Sequence, residues 1–276
     1  MSAPSPPLSE RASFWRDAEL PGVNMLTARY VTHRFLPHAH DSLVLGVIER
    51  GAESFRYRGA RVLAPVGSVV VIPPGEVHTG EAGRPGGWDY RVMYLQPHWI
   101  EAVGGLVSGG FTGSVLTDSA LASAVRRAQL TLTHPHASPL VREIVLQEAL
   151  TLLLARYADT RSNPSPTHAP DAVRSVQARL DAHPEQAVSL TELALGVGLS
   201  PAHLARTFRS VVGVAPHTYQ MTARVGLARD LLDAGETPAS AALLAGFADQ
   251  AHLNRVFKRV VGVPPGLYRR TFAARP

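Results

Sequence analysis

Three histidines near the start of the chain and a basic, amide-bearing stripe near its end are the residues whose chemistry is easiest to name. His38-Ala-His40 stands just before the apolar run from Leu43 to Ile48. Alternation along a strand puts His38 and His40 on one face. His78 closes the stretch Pro73-Pro-Gly75-Glu-Val-His78. Three imidazoles in one place are a ligand set for zinc, iron or manganese. The same groups can instead form the polar lining of a small-molecule pocket. Trp88, Tyr90 and Arg91 follow on what reads as the next strand and are candidates for that lining, Arg91 being suited to a carboxylate. Plain core is the other reading of the two aromatics. Towards the C-terminus the chemistry changes. Arg206 and Arg255 can bond guanine bidentately, and Gln250 and Asn254 can do so with adenine. Arg209, Lys258 and Arg259 suit phosphates. No nucleophile elbow, phosphate loop or paired-carboxylate motif occurs, so no catalytic residue is assigned.

Composition narrows the class. Of the formal net charge of +5, residues 171–276 supply +4, from 12 Lys/Arg against 8 Asp/Glu. A basic terminal domain points to a polyanionic partner, nucleic acid first. The absence of cysteine excludes disulfide scaffolds, thiolate zinc fingers, iron–sulfur clusters and cysteine catalysis. With 45% hydrophobic and 18% charged residues the chain can bury real cores. The longest uncharged run, residues 102–117, is Gly/Ser-rich and too short to cross a membrane. Residues 1–8 lack the pattern of a secretory signal. The expectation is a cytoplasmic protein with no membrane partner.

The elements that must carry these residues follow from periodicity. Residues 1–18 read as a loose arm with one short helical stretch. Over residues 25–95, short β-branched runs are punctuated by Gly51, Gly59, Gly67, Gly75 and Gly80, as in an antiparallel sandwich or barrel. Residues 119–132 and 139–158 read as helices. In the second, Val141, Ile144, Val145, Glu148, Leu152 and Ala155 form a wide face that must pack on the barrel or on a second subunit. Residues 160–170 contain three prolines and no apolar periodicity, and read as a linker.

After Asp171 the chain repeats itself. His203, Leu204, Arg206, Phe208, Val211, Val212, Gly213, Val214, Pro216 and Tyr219 recur at an offset of 49. The turn glycines Gly198 and Gly246 are offset by 48, so the second turn is one residue longer. Two copies of one supersecondary unit are therefore present. In the first, Ser189-Leu-Thr-Glu192 is a capping box, Gly198 permits the turn, and Ser200-Pro201 opens the next helix. Leu204, Phe208, Val211 and Val212 form its apolar stripe, to pack on Leu193 and Ala194. Thr237-Pro238 opens the second copy, which turns at Gly246 and restarts at Asp249. Each copy reads as a helix-turn-helix. Residues 216–234 can form one connecting helix, with Val225, Ala228, Leu231 and Leu232 inward, holding two recognition helices about 34 Å apart, one DNA turn. Outward on the first helix lie Ala202, Ala205, Arg206 and Arg209; on the second, Gln250, His252, Asn254, Arg255, Lys258 and Arg259. His203 and His252 can instead pack the helix pair.

The last hundred residues resemble the AraC/XylS-type transcription regulators, most specifically over Gly246-Phe-Ala-Asp-Gln-Ala-His-Leu-Asn-Arg-Val-Phe-Lys-Arg-Val-Val-Gly-Val-Pro-Pro-Gly-Leu-Tyr268. One departure is Ala202 and Ala205, where members often carry larger contact residues. The resemblance implies base contacts from Ala202, Ala205, Arg206, Gln250, His252, Asn254 and Arg255, and phosphate contacts from Arg209, Lys258 and Arg259. Upstream, Gly67-x5-Pro73-x-Gly75-x2-His78 and His38-x-His40 resemble the two motifs of cupin barrels. The metal-binding cupins add a Glu soon after His-x-His, where Val44 and Leu45 stand here, and an Asn where Ala82 stands. AraC-type sensor domains usually bind a small molecule without metal. The expectation is therefore no cofactor, with a metal at His38, His40 and His78 as the lesser alternative, and an effector pocket lined by His38, His40, His78, Trp88, Tyr90 and Arg91.

The expected fold is α+β with two domains. Residues 1–160 form a cupin-like β-barrel with appended helices, for effector binding and dimerisation; residues 161–170 are the linker; residues 171–276 are an all-α domain with two helix-turn-helix units. The expected function is a sequence-specific transcription regulator, an activator by resemblance, responding to a small-molecule effector. Its partners would be double-stranded DNA, a second copy of the chain and RNA polymerase. The rival is a cupin oxygenase or isomerase fused to a DNA-binding tail.

Overall fold

A computed structural model describes residues 9–104, 110–159 and 170–273. The expected linker, but for Pro170, and the first eight residues of the expected arm lie outside them. The chain divides into two compact units, one of residues 1–34, 40–75 and 80–160, the other of residues 35–39, 76–79 and 161–276.

The N-terminal part of the chain forms β1 (Arg11–Arg16), β2 (Val23–Tyr30), β3 (Arg34–His38), β4 (Leu43–Tyr57), β5 (Ala60–Pro65), β6 (Val69–Ile72), β7 (His78–Ala82) and β8 (Trp88–Leu95). Then come α1 (Pro97–Ala102), β9 (Gly110–Phe111), β10 (Val115–Leu116), α2 (Ser119–Thr133), α3 (Pro139–Tyr157) and β11 (Ala158–Asp159). The main sheet runs β1-β2-β8-β4-β6-β10. Strand β4 is long enough to serve two sets of partners. Its first part pairs with β8 and β6, and after a bulge between Ile48 and Arg50 its second part pairs with β5. Gly51 is needed beside that bulge: its φ is +70°, and a Cβ there would lie 2.0 Å from the carbonyl oxygen of Gly87.

Period-two alternation gives the sheet two apolar faces. Val23, Met25, Leu43, Leu45, Val47, Val69, Val71, Met93 and Leu95 pack with Leu121, Val125, Leu146, Leu150 and Leu153 of α2 and α3. The opposite face carries Phe14, Leu26, Tyr30, Ile48, Trp88, Tyr90 and Val92, all buried.

One expectation needs correction, and a second is narrowed. Residues 11–16 are not a loose arm: they form β1, paired with β2 so that Phe14 stands opposite Leu26 and is buried. The strand is pinned just beyond its end, where Arg142 Nη1 donates to Asp17 Oδ2 at 2.8 Å with both side chains buried. Helix α3 divides its expected face, which was to pack on the barrel or on a second subunit. It buries Arg142, Leu146, Ala149, Leu150 and Leu153, while Val145 and Leu152 pack at the edge of the core. Leu140, Val141 and Ile144 are left exposed.

The second unit contains α4 (Asp171–Ala182), α5 (Leu190–Gly196), α6 (Pro201–Val212), α7 (Pro216–Asp233), α8 (Pro238–Leu244), α9 (Gln250–Val261) and α10 (Pro265–Ala273). Val173, Val176 and Leu180 of α4 pack with Leu193, Ala194, Leu204 and Phe208. Val211, expected in that stripe, is exposed, because it falls outside the arc of α6 facing α4 and α5. On α7, Val225, Ala228 and Leu232 are buried and Leu231 is half-buried. The repeat survives in three dimensions. Phe208 meets Tyr219 edge-on at 5.6 Å, and Phe257 meets Tyr268 at 5.4 Å. Gly213 and Gly262 end α6 and α9 in the left-handed conformation, with φ of 87° and 89°.

Candidate nucleic-acid interface and sensor face

Each helix-turn-helix is capped as its sequence dictates. Ser189 and Glu192 exchange the two bonds of a capping box at α5. The Ser200 hydroxyl accepts from His203 N at 3.3 Å, opening α6. Thr237 Oγ1 accepts from Ser240 N at 3.1 Å, opening α8, and Asp249 Oδ1 accepts from His252 N at 2.6 Å, opening α9. These caps fix where α6 and α9 begin and hence which residues their outer faces display.

On α6, Ala202, His203, Arg206 and Arg209 are exposed and Ala205 is half-buried. On α9, Gln250, Arg255, Lys258 and Arg259 are exposed, while His252 and Asn254 are half-buried. The His252 ring packs on Phe247 at 5.3 Å. That contact ties it to the turn between α8 and α9.

Arg224 is the residue that spacing did not single out. It lies mid-helix on α7 and is buried, with its guanidinium used entirely on backbone carbonyls. Nε donates to Pro184 O at 2.8 Å and Nη1 to Gly246 O at 2.6 Å. Nη2 donates to Glu185 O at 3.2 Å and Gln186 O at 3.1 Å. Gln220, one turn earlier, donates to Gln186 O at 2.6 Å. Arg224 therefore joins the loop entering the first helix-turn-helix to the turn of the second. Gly246 has φ +77°, and a Cβ there would lie 2.2 Å from the Glu185 carbonyl oxygen. In the sequence Arg224 is one more charge on a polar helix, and nothing in its spacing marks it as buried.

The sensor face is the sheet face turned away from α2 and α3. Tyr30, Trp88 and Tyr90 form an aromatic cluster with ring centroids 5.3 to 6.0 Å apart. Trp88 Nε1 is buried and has no hydrogen-bond acceptor among the described residues. Glu53 is buried on β4, two residues beyond Gly51, which pairs with Trp88. Burial raises its carboxyl pKa to about 8. It is therefore mostly protonated at neutral pH and can donate as well as accept. Burial also raises the hydroxyl pKa values of Tyr30 and Tyr90. Neither Tyr30 nor Glu53 was expected here, because a single acid within a strand carries no spacing signal.

Arg91 departs from its expected place. It pairs across the strands with Val47, which belongs to the face packed on the helices, and strand alternation turns it away from Trp88 and Tyr90. Its carbonyl accepts from Gln129 Nε2 of α2 at 3.0 Å.

The histidines do come together. The rings of His38 and His78 lie 4.5 Å apart, and that of His40 lies 4.8 Å from Tyr94. One ring nitrogen from each of His38, His40 and His78 lies within 4.8 Å of the other two. His38 and His78 are buried and His40 is half-buried. Burial lowers the pKa of His78 and favours its neutral form.

A sheet domain with a buried polar-aromatic face, joined to paired helix-turn-helix units with basic outer faces, defines a ligand-responsive, DNA-binding transcription regulator. Comparison with known proteins gives the particular family. Residues 20–157 match the family described as AraC-like ligand binding domain, and residues 193–271 match a helix-turn-helix domain. The chain belongs to the AraC family of transcription regulators. It is 29% identical over 225 residues to the HTH-type transcriptional regulator YbfI of Bacillus subtilis, covering 80% of this chain and 82% of that one. It is 24% identical over 236 residues to the arabinose operon regulatory protein of Salmonella typhimurium, covering 78% of each. Among solved structures, ToxT from Vibrio cholerae shares the fold, with a TM-score of 0.54, 12% identity, and coverage of 97% of this chain and 99% of that one. The relatives are transcription regulators, and nothing among them supports the oxygenase or isomerase alternative. No helix among the described residues is long and apolar enough to cross a membrane.

Proposed function

We propose that this regulator acts in the cytoplasm as a homodimeric activator that reads DNA through α6 and α9 and answers to a small molecule bound on its sensor face. The observation that carries the DNA reading is the repeated exposed stripe: Arg206 and Arg255 occupy the same place in the two copies, 49 residues apart. Arg206, Gln250, Asn254 and Arg255 contact base edges, with Ala202, Ala205 and His252 closing against them; Arg209, Lys258 and Arg259 hold phosphates. His38, His40, His78, Trp88 and Tyr90 contact the effector. The Trp88 N–H and the Glu53 carboxyl offer it hydrogen bonds. The exposed Leu140, Val141 and Ile144 on α3 support dimerisation through that helix, since adjacent apolar side chains on one helix face favour a partner. An activator so placed would contact RNA polymerase.

Selection of genomic DNA fragments by the full-length protein at near-physiological salt tests this. Enrichment of sites with two elements about one helical turn apart is expected. Uniform, salt-sensitive retention with no shared motif, with and without cell metabolites added, would overturn it.

A further inference from the structure

A buried acid and a buried N–H, each without a protein partner, mark one spot on the sensor face. Glu53 lies two residues beyond Gly51, the residue opposite Trp88, so its side chain shares the face of Trp88. Both residues are buried. The Glu53 carboxyl has neither a hydrogen-bond donor nor a cation beside it among the described residues, and burial alone sets its pKa at about 8. Trp88 Nε1 has no acceptor among them either. Polar groups left unmet in a packed interior are costly, and a bound ligand would supply what they lack.

The charge of that ligand follows from its surroundings. The rings of Tyr30, Trp88 and Tyr90 have centroids 5.3 to 6.0 Å apart and planes inclined to one another by 49 to 64°. One point can therefore lie within about 6 Å of all three centroids, the reach of a cation–π contact. His33 stacks on Tyr30 at 4.5 Å and covers one of its faces. Ring faces carry the negative part of the aromatic quadrupole. An ionised Glu53 adds a full negative charge, which the hydroxyls of Tyr30 and Tyr90 both feel. No arginine of the strands answers it. Arg29 and Arg91 alternate with Tyr30 and Tyr90 and turn to the face packed on the helices, where Arg29 lies 3.6 Å from Asp89. Arg11, Arg16, Arg34, Arg50, Arg56 and Arg61 are exposed. An anion finds no partner at this spot, whereas a cation finds Glu53 and the aromatic rings.

Resting on the reading of this face as the effector site, we propose that the effector is a small organic ammonium ion, its charge held between the Glu53 carboxylate and the rings of Tyr30, Trp88 and Tyr90, with an oxygen that accepts from Trp88 Nε1. Binding releases the proton that Glu53 holds at neutral pH.

Probes of one shape and different charge test this: choline; neohexyl alcohol, in which carbon replaces the ammonium nitrogen; and the anion of tert-butylacetic acid. Each is titrated calorimetrically into the full-length protein in phosphate, a buffer without an amine. The pH is about 8, where about half of Glu53 is ionised before binding. Choline is expected to bind with a Kd below about 1 mM. It should bind at least about tenfold more tightly than the alcohol, and the anion should not bind. Glu53→Gln removes the charge and keeps the shape, so it should weaken choline about tenfold or more and leave the alcohol unchanged. Tryptophan emission shows whether the variant is folded; if it is not, the ranking of the probes on the parent decides the matter. The alcohol or the anion binding as tightly as choline would overturn the proposal and leave the effector-site reading standing. Unaltered choline affinity in folded Glu53→Gln would overturn it as well. So would the absence of binding by every probe, which would count against the effector site too.

Discussion

Replacing Glu53 with Gln should make the sheet domain more stable at alkaline pH and leave it unchanged at acid pH. Glu53 is a buried acid whose pKa rises from 4.5 to about 8, with burial as the cause. Between those values the folded chain keeps a proton that the unfolded chain has released. The contribution is fully present below about pH 4.5 and is lost as pH climbs through the folded value. At about 1.4 kcal/mol per pH unit, the gap amounts to about 5 kcal/mol, which water entry on opening can only reduce. Whole domains are stable by only about 5–15 kcal/mol, so the loss is large. Gln keeps the shape and removes the proton. The variant should therefore match the parent at pH 5 and exceed it by several kcal/mol at pH 9. Urea unfolding followed by tryptophan emission reads this cleanly, because Trp15, Trp88 and Trp99 are the only tryptophans and all belong to the sheet unit. Parallel stability curves for the two proteins from pH 5 to 9 would refute the reasoning, and so would a variant weaker at every pH.

Arg255→Ala should weaken specific DNA binding by about 1–3 kcal/mol and relax preference at one base position; competition binding with single-base operator variants checks both. Lys258→Ala should lower the salt slope by about one and leave base preference alone, as read from affinities across a salt series. Arg224→Met should destabilise the helical unit by about 3–5 kcal/mol, because several buried carbonyls lose a charged donor together; chemical denaturation followed by circular dichroism of the 171–276 fragment measures it. Ile144→Asp on α3 should shift the full chain from dimer to monomer in sedimentation without lowering its melting temperature, since that side chain is 45% exposed.

The sequence disclosed most about the helical unit and least about the sensor face, for physical reasons. Caps and turn glycines are local chemistry, so Ser189, Ser200, Thr237 and Asp249 could be placed from their neighbours alone. Repetition then supplied the long-range relation. Faces were harder to assign. On α3 apolar residues fall on more than one face, and period alone chose Val141 and Ile144 where the structure buries Leu146, Leu150 and Leu153. Arg91 failed for a simpler reason: it is adjacent to Tyr90, and neighbours on a strand cannot share a face. Glu53 and Arg224 are legible only in three dimensions. Each is a charged residue whose burial is created by segments distant in sequence: for Arg224, the loop at Pro184 to Gln186 and the turn at Gly246.

The Arg224 clamp makes the helical unit a caliper. Helix α7 has 18 residues and spans about 27 Å, and mid-helix the guanidinium locks the loop before the first helix-turn-helix and the turn of the second against it and against each other. One base pair inserted between the two operator elements would rotate the second by about 35° around the duplex axis, and a locked caliper cannot follow. If α6 and α9 read two operator elements as proposed, tolerance to such insertions should be set by a side chain that touches no DNA. Loosening Arg224 would widen the range of usable spacings while every base preference stayed where it was.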